Sequence, residues 1–451
     1  MTTFRSTRST GHAALSEAVF RGLAPDGGLY VPVEMPVLPD RPPAGFGGSR
    51  PHGGEEGSFA EVARWAAPCF FPGVAEEMIR RVVERALTFP TPLVEVEPGR
   101  FVLELFHGPT HAFKDVGARF MAALMVELDA GTTPNRIVLV ATSGDTGGAV
   151  ADAFHGLEGY RVVVLFPRDG ISAHQRRQMT TLGDNVHALA VQGTFDDCQR
   201  VVKGAFLDAA LRDRHGLTSA NSINVARLLP QALYFVYAAH AVEKIITRRL
   251  APGAAGSVRP RFVVPSGNLG NLCAGLLARR AGMAASGFIA ATNANRGFVD
   301  FLSGDEFEAR SSVSTVSSAM DVGDPSNFER VQWLYDGDDD ALRRDVIGVS
   351  VSDAEATRCI ADVYERTGYV LDPHTAVGYE AAKSHSATAE EPTVILATAH
   401  PAKFPDTVEA MIGCPVPLPP GLARTRNGIE TMCEMVPTLH ELSAKLESMT
   451  P

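Results

Sequence analysis

Strand-like runs rich in Val, Ile and Leu recur along the chain: FVLELF (101–106), RIVLVA (136–141), RVVVLF (161–166), VHALAV (186–191), RFVVP (261–265), GFIAAT (287–292) and TVILAT (393–398). Between most of them the apolar positions take helical spacing, as in FDDCQRVVKGAFLDAAL (195–211), ALYFVYAAHAVEKII (232–246) and DAEATRCIADVYERTG (353–368). Strands without polar alternation, joined through helices, imply parallel sheets covered on both faces. The expected fold class is therefore α/β, with two doubly wound parallel-sheet units. Ahead of them, GGLYVPV (27–33) reads as a short strand, and FAEVARWAAPCF (59–70) and EEMIRRVVERAL (76–87) read as helices. A small N-terminal domain is expected over residues 1–92, a first α/β unit over 93–250 and a second over 251–451, the last with a C-terminal extension. The Pro/Gly-rich stretch 36–58 reads as a loop, because so few apolar residues cannot offset its ordering entropy, and APGAAGSVRP (251–260) reads as the separator of the two units.

Composition narrows the function classes. A chain of 451 residues suits two or three domains with cores of their own. Acidic residues outnumber basic ones, 52 to 41, for a net charge of −11. That balance argues against a nucleic-acid or anionic-membrane partner, both of which need a basic surface. Six scattered cysteines without a CxxC pair read as reduced thiols, with neither a disulfide framework nor a metal site. No apolar run reaches about 18 residues. The expectation is a soluble cytoplasmic protein.

Two glycine-rich turns each follow a strand and open a helix: ATSGDTGGAVADAF, with Gly144, Gly147 and Gly148, and VPSGNLGNLCAGLLA, with Gly267 and Gly270. Converging backbone N–H groups and a helix N-terminus hold anions, and such turns lie where α/β sheets bind ligands. Either turn alone is equally well a tight βα connection, and neither matches GxxxxGK[ST] or GxGxxG. Lys114 stands among Phe113, Gly and Pro in HGPTHAFKDVGARF (107–120). Desolvation favours the neutral, nucleophilic amine. A reactive lysine together with a phosphate cradle suits pyridoxal 5'-phosphate, although a solvated lysine packed on Phe113 is the commoner arrangement for lysines at large.

The stretch HGPTHAFKDVGARF resembles the cofactor-lysine segment of the threonine synthases, fold-type II pyridoxal-phosphate enzymes of the tryptophan synthase β-like class. FRSTR, GGLYVP, ATSGDTG, TSANSINVARLLPQ, PSGNLGN, AMDVGDPSNFER and LATAHPAKFP follow in that family's order, so the resemblance covers nearly the whole chain and is closest to the longer, bacterial and fungal type. It implies a pyridoxal-phosphate-dependent carbon–oxygen lyase that converts O-phospho-L-homoserine and water to L-threonine and phosphate, by γ-elimination and β-addition of water, as the last step of threonine biosynthesis. Lys114 would form the Schiff base and move protons. Gly267, Asn268, Leu269, Gly270 and Asn271 would hold the cofactor phosphate, and Thr398 would put its hydroxyl at the ring nitrogen. Asp145 would face the cofactor, with a helix N-cap as its competing role. Ser143 and Thr146 would lie beside the substrate, with Ser222 and Asn224. Arg227 would grip the substrate phosphate through a planar fork, against the alternative of a surface arginine.

His111 departs from the family pattern, which favours an apolar residue there, and it is expected either to alter the acidity of Lys114 or to point outward. Two rivals share many of these motifs: a phospholyase of this family releasing 2-oxobutyrate, and a non-catalytic homologue that binds a phosphorylated ligand.

Overall fold

The computed structural model describes residues 3–39, 58–132, 134–249, 258–385, 387–388 and 391–449. Most of the expected loop at 36–58, and most of the expected separator at 251–260, lie outside the described residues. The strands among the described residues are β1 (Phe4–Ser6), β2 (His12–Ala13), β3 (Tyr30–Pro32), β4 (Leu93–Glu97), β5 (Arg100–Glu104), β6 (Arg136–Ala141) and β7 (Tyr160–Pro167). They continue with β8 (Val186–Val191), β9 (Leu217–Ser219), β10 (Arg261–Pro265), β11 (Gly287–Thr292), β12 (Val346–Ser350), β13 (Thr393–Ala397) and β14 (Cys433–Met435). Every aliphatic run expected as a strand is one, within two residues at either end.

The chain forms two compact units, each assembled from separated segments. One comprises Met1–Val33, Pro109–Arg227 and Leu418–Pro451. It holds a small antiparallel sheet, β2-β1-β3, and a fully parallel one, β14-β8-β7-β6-β9. Ile137, Leu139, Val163, Leu165, Leu189 and Val191 line the core of that sheet, against the helix Phe195–Leu207 and the C-terminal helix Leu439–Ser448. The expected single helix over 195–211 breaks at Asp208. Its carboxylate caps a second helix, Ala209–His215, by accepting from the Leu211 N–H, and an N-cap residue cannot also continue the preceding helix.

The other unit comprises Glu34–Gly108 and Leu228–Pro417. Its sheet runs β12-β11-β10-β13-β5-β4, parallel except for the antiparallel pair β4 and β5. These units cut the chain differently from the consecutive boundaries expected at 92/93 and 250/251. β5 pairs with β13 in register from Arg100↔Thr393 to Glu104↔Ala397, so the strand assigned to the first α/β unit belongs to the sheet of the second. The C-terminal strand β14 pairs with β8 instead of extending the second unit. Both departures are long-range pairings, which no local pattern encodes.

Helix starts follow from local chemistry. Ser58 with Glu61, Ser172 with Gln175, Thr194 with Asp197 and Ser352 with Glu355 each form a reciprocal capping box.

Candidate active site

In the first unit, Lys114 opens the helix Lys114–Leu128. Its side chain is 15% exposed, and Nζ lies 4.7 Å from the Phe113 ring centroid and 3.7 Å from the Asp145 carboxylate. The lysine is thus in a largely desolvated place, beside an anion.

Asp145 is the first residue of the helix Asp145–Phe154, immediately after β6 and its turn. The cap is Gly144, and no side chain caps this helix, so the N-cap role weighed for Asp145 does not hold. The carboxylate instead accepts from Gln175 Nε2 at 3.0 Å. Gln175 is fully buried, and its Oε1 closes the capping box on Ser172. Gly144 has φ +136°, and a Cβ there would sit 2.5 Å from the Gln175 amide, so glycine is required on both counts. Thr142, wholly buried, ties the turn together by accepting from the N–H groups of Gly144 and Gly147 at 2.9 and 2.8 Å. Ser143 and Thr146 remain half-buried at the rim of the turn.

Arg227 is not a surface arginine: it is 2% exposed, and Nη1 donates to the Ala220 carbonyl. A Cβ on Gly117 would come within 2.6 Å of the Arg227 carbonyl oxygen, so that glycine permits the close approach of the lysine helix. Ser222 is half-buried in the turn before Arg227. Asn224, expected at the substrate, is completely buried. Its Nδ2 donates to the carbonyls of Val19 and Ser219, both at 2.8 Å, and its Oδ1 accepts from Ala226 N–H at 2.9 Å. Those bonds make it a brace for the turn instead of a substrate contact. His111 takes φ +56°, and its ring lies where a Cβ on Gly421 would collide with Nε2. It therefore packs inward against that glycine, contrary to the outward orientation expected.

In the second unit, β10 leads into Ser266, Gly267, Asn268 and Leu269, and the helix Gly270–Arg280 begins directly after them. Leu269 is left-handed at φ +56°, which turns the chain sharply into the helix. Asn268 Oδ1 accepts from Ser326 N–H at 2.5 Å, and its carbonyl accepts from Asn327 Nδ2 at 3.0 Å. Behind Asn327 stands Arg330, fully buried, donating to Asn327 Oδ1 at 2.8 Å, with its pKa pulled down to about 10 by desolvation. The Asn271 Oδ1 accepts from Tyr234 at 2.6 Å, while its buried Nδ2 has no hydrogen-bond acceptor among the described residues. A buried donor left over at a helix N-terminus costs free energy unless an anion answers it. The residues of this loop therefore fit a phosphate group.

Thr398 follows β13, the strand paired in parallel beside β10, so it and the loop emerge at the carboxyl ends of two neighbouring central strands of the sheet. It is 6% exposed, and its N–H donates to Thr375 Oγ1 at 3.4 Å. Thr142, Gln175, Asn327 and Arg330 escaped the sequence reading. AMDVGDPSNFER carries part of the family resemblance, but nothing in it says that Asn327 meets Asn268.

Comparisons with known proteins follow the same lines. Residues 85–399 match the family described as pyridoxal-phosphate dependent enzyme, residues 3–87 match the threonine synthase N terminus, and residues 375–444 match the threonine synthase C-terminal region. The threonine synthase of Serratia marcescens is 39% identical over 415 residues, covering 91% of this chain and 90% of that protein. The chain belongs to the threonine synthase family. The crystal structure of threonine synthase from Escherichia coli superposes with a TM-score of 0.88 at 33% identity, over 99% of this chain and 100% of that one. The pyridoxal-phosphate-bound threonine synthase of Brucella melitensis gives 0.85 at 34% identity, over 99% of both chains. The family's reaction, conversion of O-phospho-L-homoserine and water to L-threonine and phosphate with pyridoxal 5'-phosphate as cofactor, is accordingly this protein's activity. Among the described residues no helix is long and apolar enough to cross a membrane.

Proposed function

We propose that Lys114 carries the cofactor and moves the protons of threonine synthesis, that residues 267–271 receive the cofactor phosphate, and that Thr398 serves the ring nitrogen. The observation that carries this reading is the Asn271 Nδ2, a buried donor without an acceptor among the described residues, at the start of a helix. The cofactor, when bound, supplies an electron sink that makes protons on the neighbouring substrate carbons removable.

The rest is done by side chains. Lys114 Nζ accepts and returns protons. The Asp145 carboxylate, 3.7 Å away and fixed by Gln175, holds a counter-charge beside the amine while it is protonated. Low exposure at both groups keeps bulk water from competing for those protons. Arg227 holds the substrate phosphate, with Ser143, Thr146 and Ser222 along the substrate. Thr398 offers a neutral hydroxyl, which leaves a ring nitrogen largely unprotonated. The protein works in the cytoplasm as a monomer or homodimer.

Reduction of the cofactor-loaded protein with borohydride should label Lys114, and a label on another lysine would refute the assignment. Incubation with phosphohomoserine should release threonine and phosphate in equal amounts; 2-oxobutyrate as the main product would favour the phospholyase reading instead.

A further inference from the structure

Asp372 is 1% exposed and caps the helix Pro373–Ala381. Its two carboxylate oxygens are used in different directions. Oδ1 accepts from His374 N–H and from His374 Nδ1, both at 2.9 Å. His374 Nε2 in turn accepts from the Ala319 N–H at 3.1 Å. A nitrogen that accepts from an amide carries no proton, so the proton sits on Nδ1 and points at Asp372. Ala319 adjoins Met320, whose backbone forms the wall against Gly267. The imidazole therefore pins the carboxylate to the wall behind the loop. Oδ2 accepts from Thr375, both from its N–H at 3.3 Å and from its hydroxyl. Because the hydroxyl proton is spent on the carboxylate, the Thr375 oxygen lone pairs face the Thr398 N–H, which donates to them at 3.4 Å.

We propose that Asp372 and Thr375 form a positioning relay that sets the backbone, and so the hydroxyl, of Thr398 against the cofactor ring. This rests on the reading that Thr398 serves the ring nitrogen. The direction of the relay is fixed by charge. An acceptor-only carboxylate forces Thr375 to donate to it, which leaves Thr375 only its acceptor side for Thr398. Asp372 and Thr375 are each 1% exposed, so the relay acts through Thr398 and its effect appears in how the cofactor is held.

The test is a double-mutant cycle on Thr375→Val and Thr398→Val, read as the dissociation constant of pyridoxal 5'-phosphate from the apoprotein and as the absorption maximum of the bound form. Loss of one buried hydrogen bond predicts about tenfold weaker binding for Thr375→Val. Thr375→Ser, which keeps the hydroxyl, should restore it to within about twofold. The double variant should bind no worse than Thr398→Val alone, because the relay acts only through that residue. Asp372→Asn provides a second route: it preserves a capping oxygen but presents an amide, so Thr375 can no longer donate on that side, and a similar weakening of cofactor binding is expected. Wild-type binding by Thr375→Val, or strictly additive losses in the cycle, overturns the relay. Should Thr398→Val bind the cofactor normally, the assignment of Thr398 itself fails, and the relay falls with it.

Discussion

Gly267→Ala measures how tightly the loop proposed to hold the cofactor phosphate is seated. The backbone at Gly267 lies outside the left-handed region, so the cost of a side chain there is steric and not conformational. An added Cβ would stand 2.8 Å from Met320 Cα, 3.1 Å from its carbonyl oxygen and 3.2 Å from its carbonyl carbon. All three are main-chain atoms, and no rotamer change can move them aside. Ordinary contact needs the loop or the wall to retreat by roughly 0.6 Å, an overpacking that costs about 1–3 kcal/mol. If the loop retreats, its N–H groups leave the phosphate, and the cofactor should bind about 5- to 150-fold more weakly. The assay is absorbance titration of the apoprotein with pyridoxal 5'-phosphate, alongside pyridoxal, which lacks the phosphate. Weakening should be large for the first and small for the second. A Gly267→Ala variant that binds the phosphorylated cofactor within about twofold of wild type, at unchanged melting temperature, would refute the close approach of Met320.

Arg227→Lys keeps the charge but loses the fork, and should raise KM for phosphohomoserine by about tenfold with cofactor affinity unchanged; equal loss of both would assign Arg227 to folding. Asn224→Ala removes three buried hydrogen bonds and should lower the unfolding free energy by about 2–3 kcal/mol in urea titrations, with little change in KM. His400 has its pKa depressed to about 4, chiefly by burial and then by the His107 charge. Its Nδ1 also accepts from the Ala402 N–H at 3.1 Å, which the protonated ring could not do. The unfolded chain therefore binds the proton more readily, so this stabilising contribution is complete above about pH 6.5 and is lost as the pH falls toward 4. His400→Asn, which keeps an acceptor for Ala402, should lessen the acid loss of stability over that window by about 1–2 kcal/mol, discounted for partial exposure; an unchanged pH profile of the melting temperature would contradict the burial of the ring.

Strand and helix positions were written locally. RIVLVA, RVVVLF and VHALAV are mostly apolar because strands in a parallel sheet are covered on both faces, and Ser58, Thr194 and Ser352 announce their helices through the glutamate or aspartate three residues on. Lys114 and the two glycine turns stand out as candidates in the sequence for a related reason. Glycines that must admit a ligand or a neighbouring backbone, and an amine set among apolar residues, leave a mark in a short window of sequence.

What holds those residues in place was not legible. The contacts of Gln175 with Asp145, Asn327 with Asn268 and Thr375 with Thr398 join positions 23 to 59 residues apart, and polar residues at such separations carry no periodicity that pairs them. The same limit explains the misplaced boundaries, since β5 joins β13 and β14 joins β8 only after the chain has doubled back. Amino-acid order by itself determined the elements, the candidate status of Lys114 and the family, because propensity, capping and glycine requirements act over a few residues. The tertiary structure alone decided that Asn224 braces a turn, that His111 faces inward and that Arg227 is buried, because burial and hydrogen-bond partnership are set by whichever distant segment packs there.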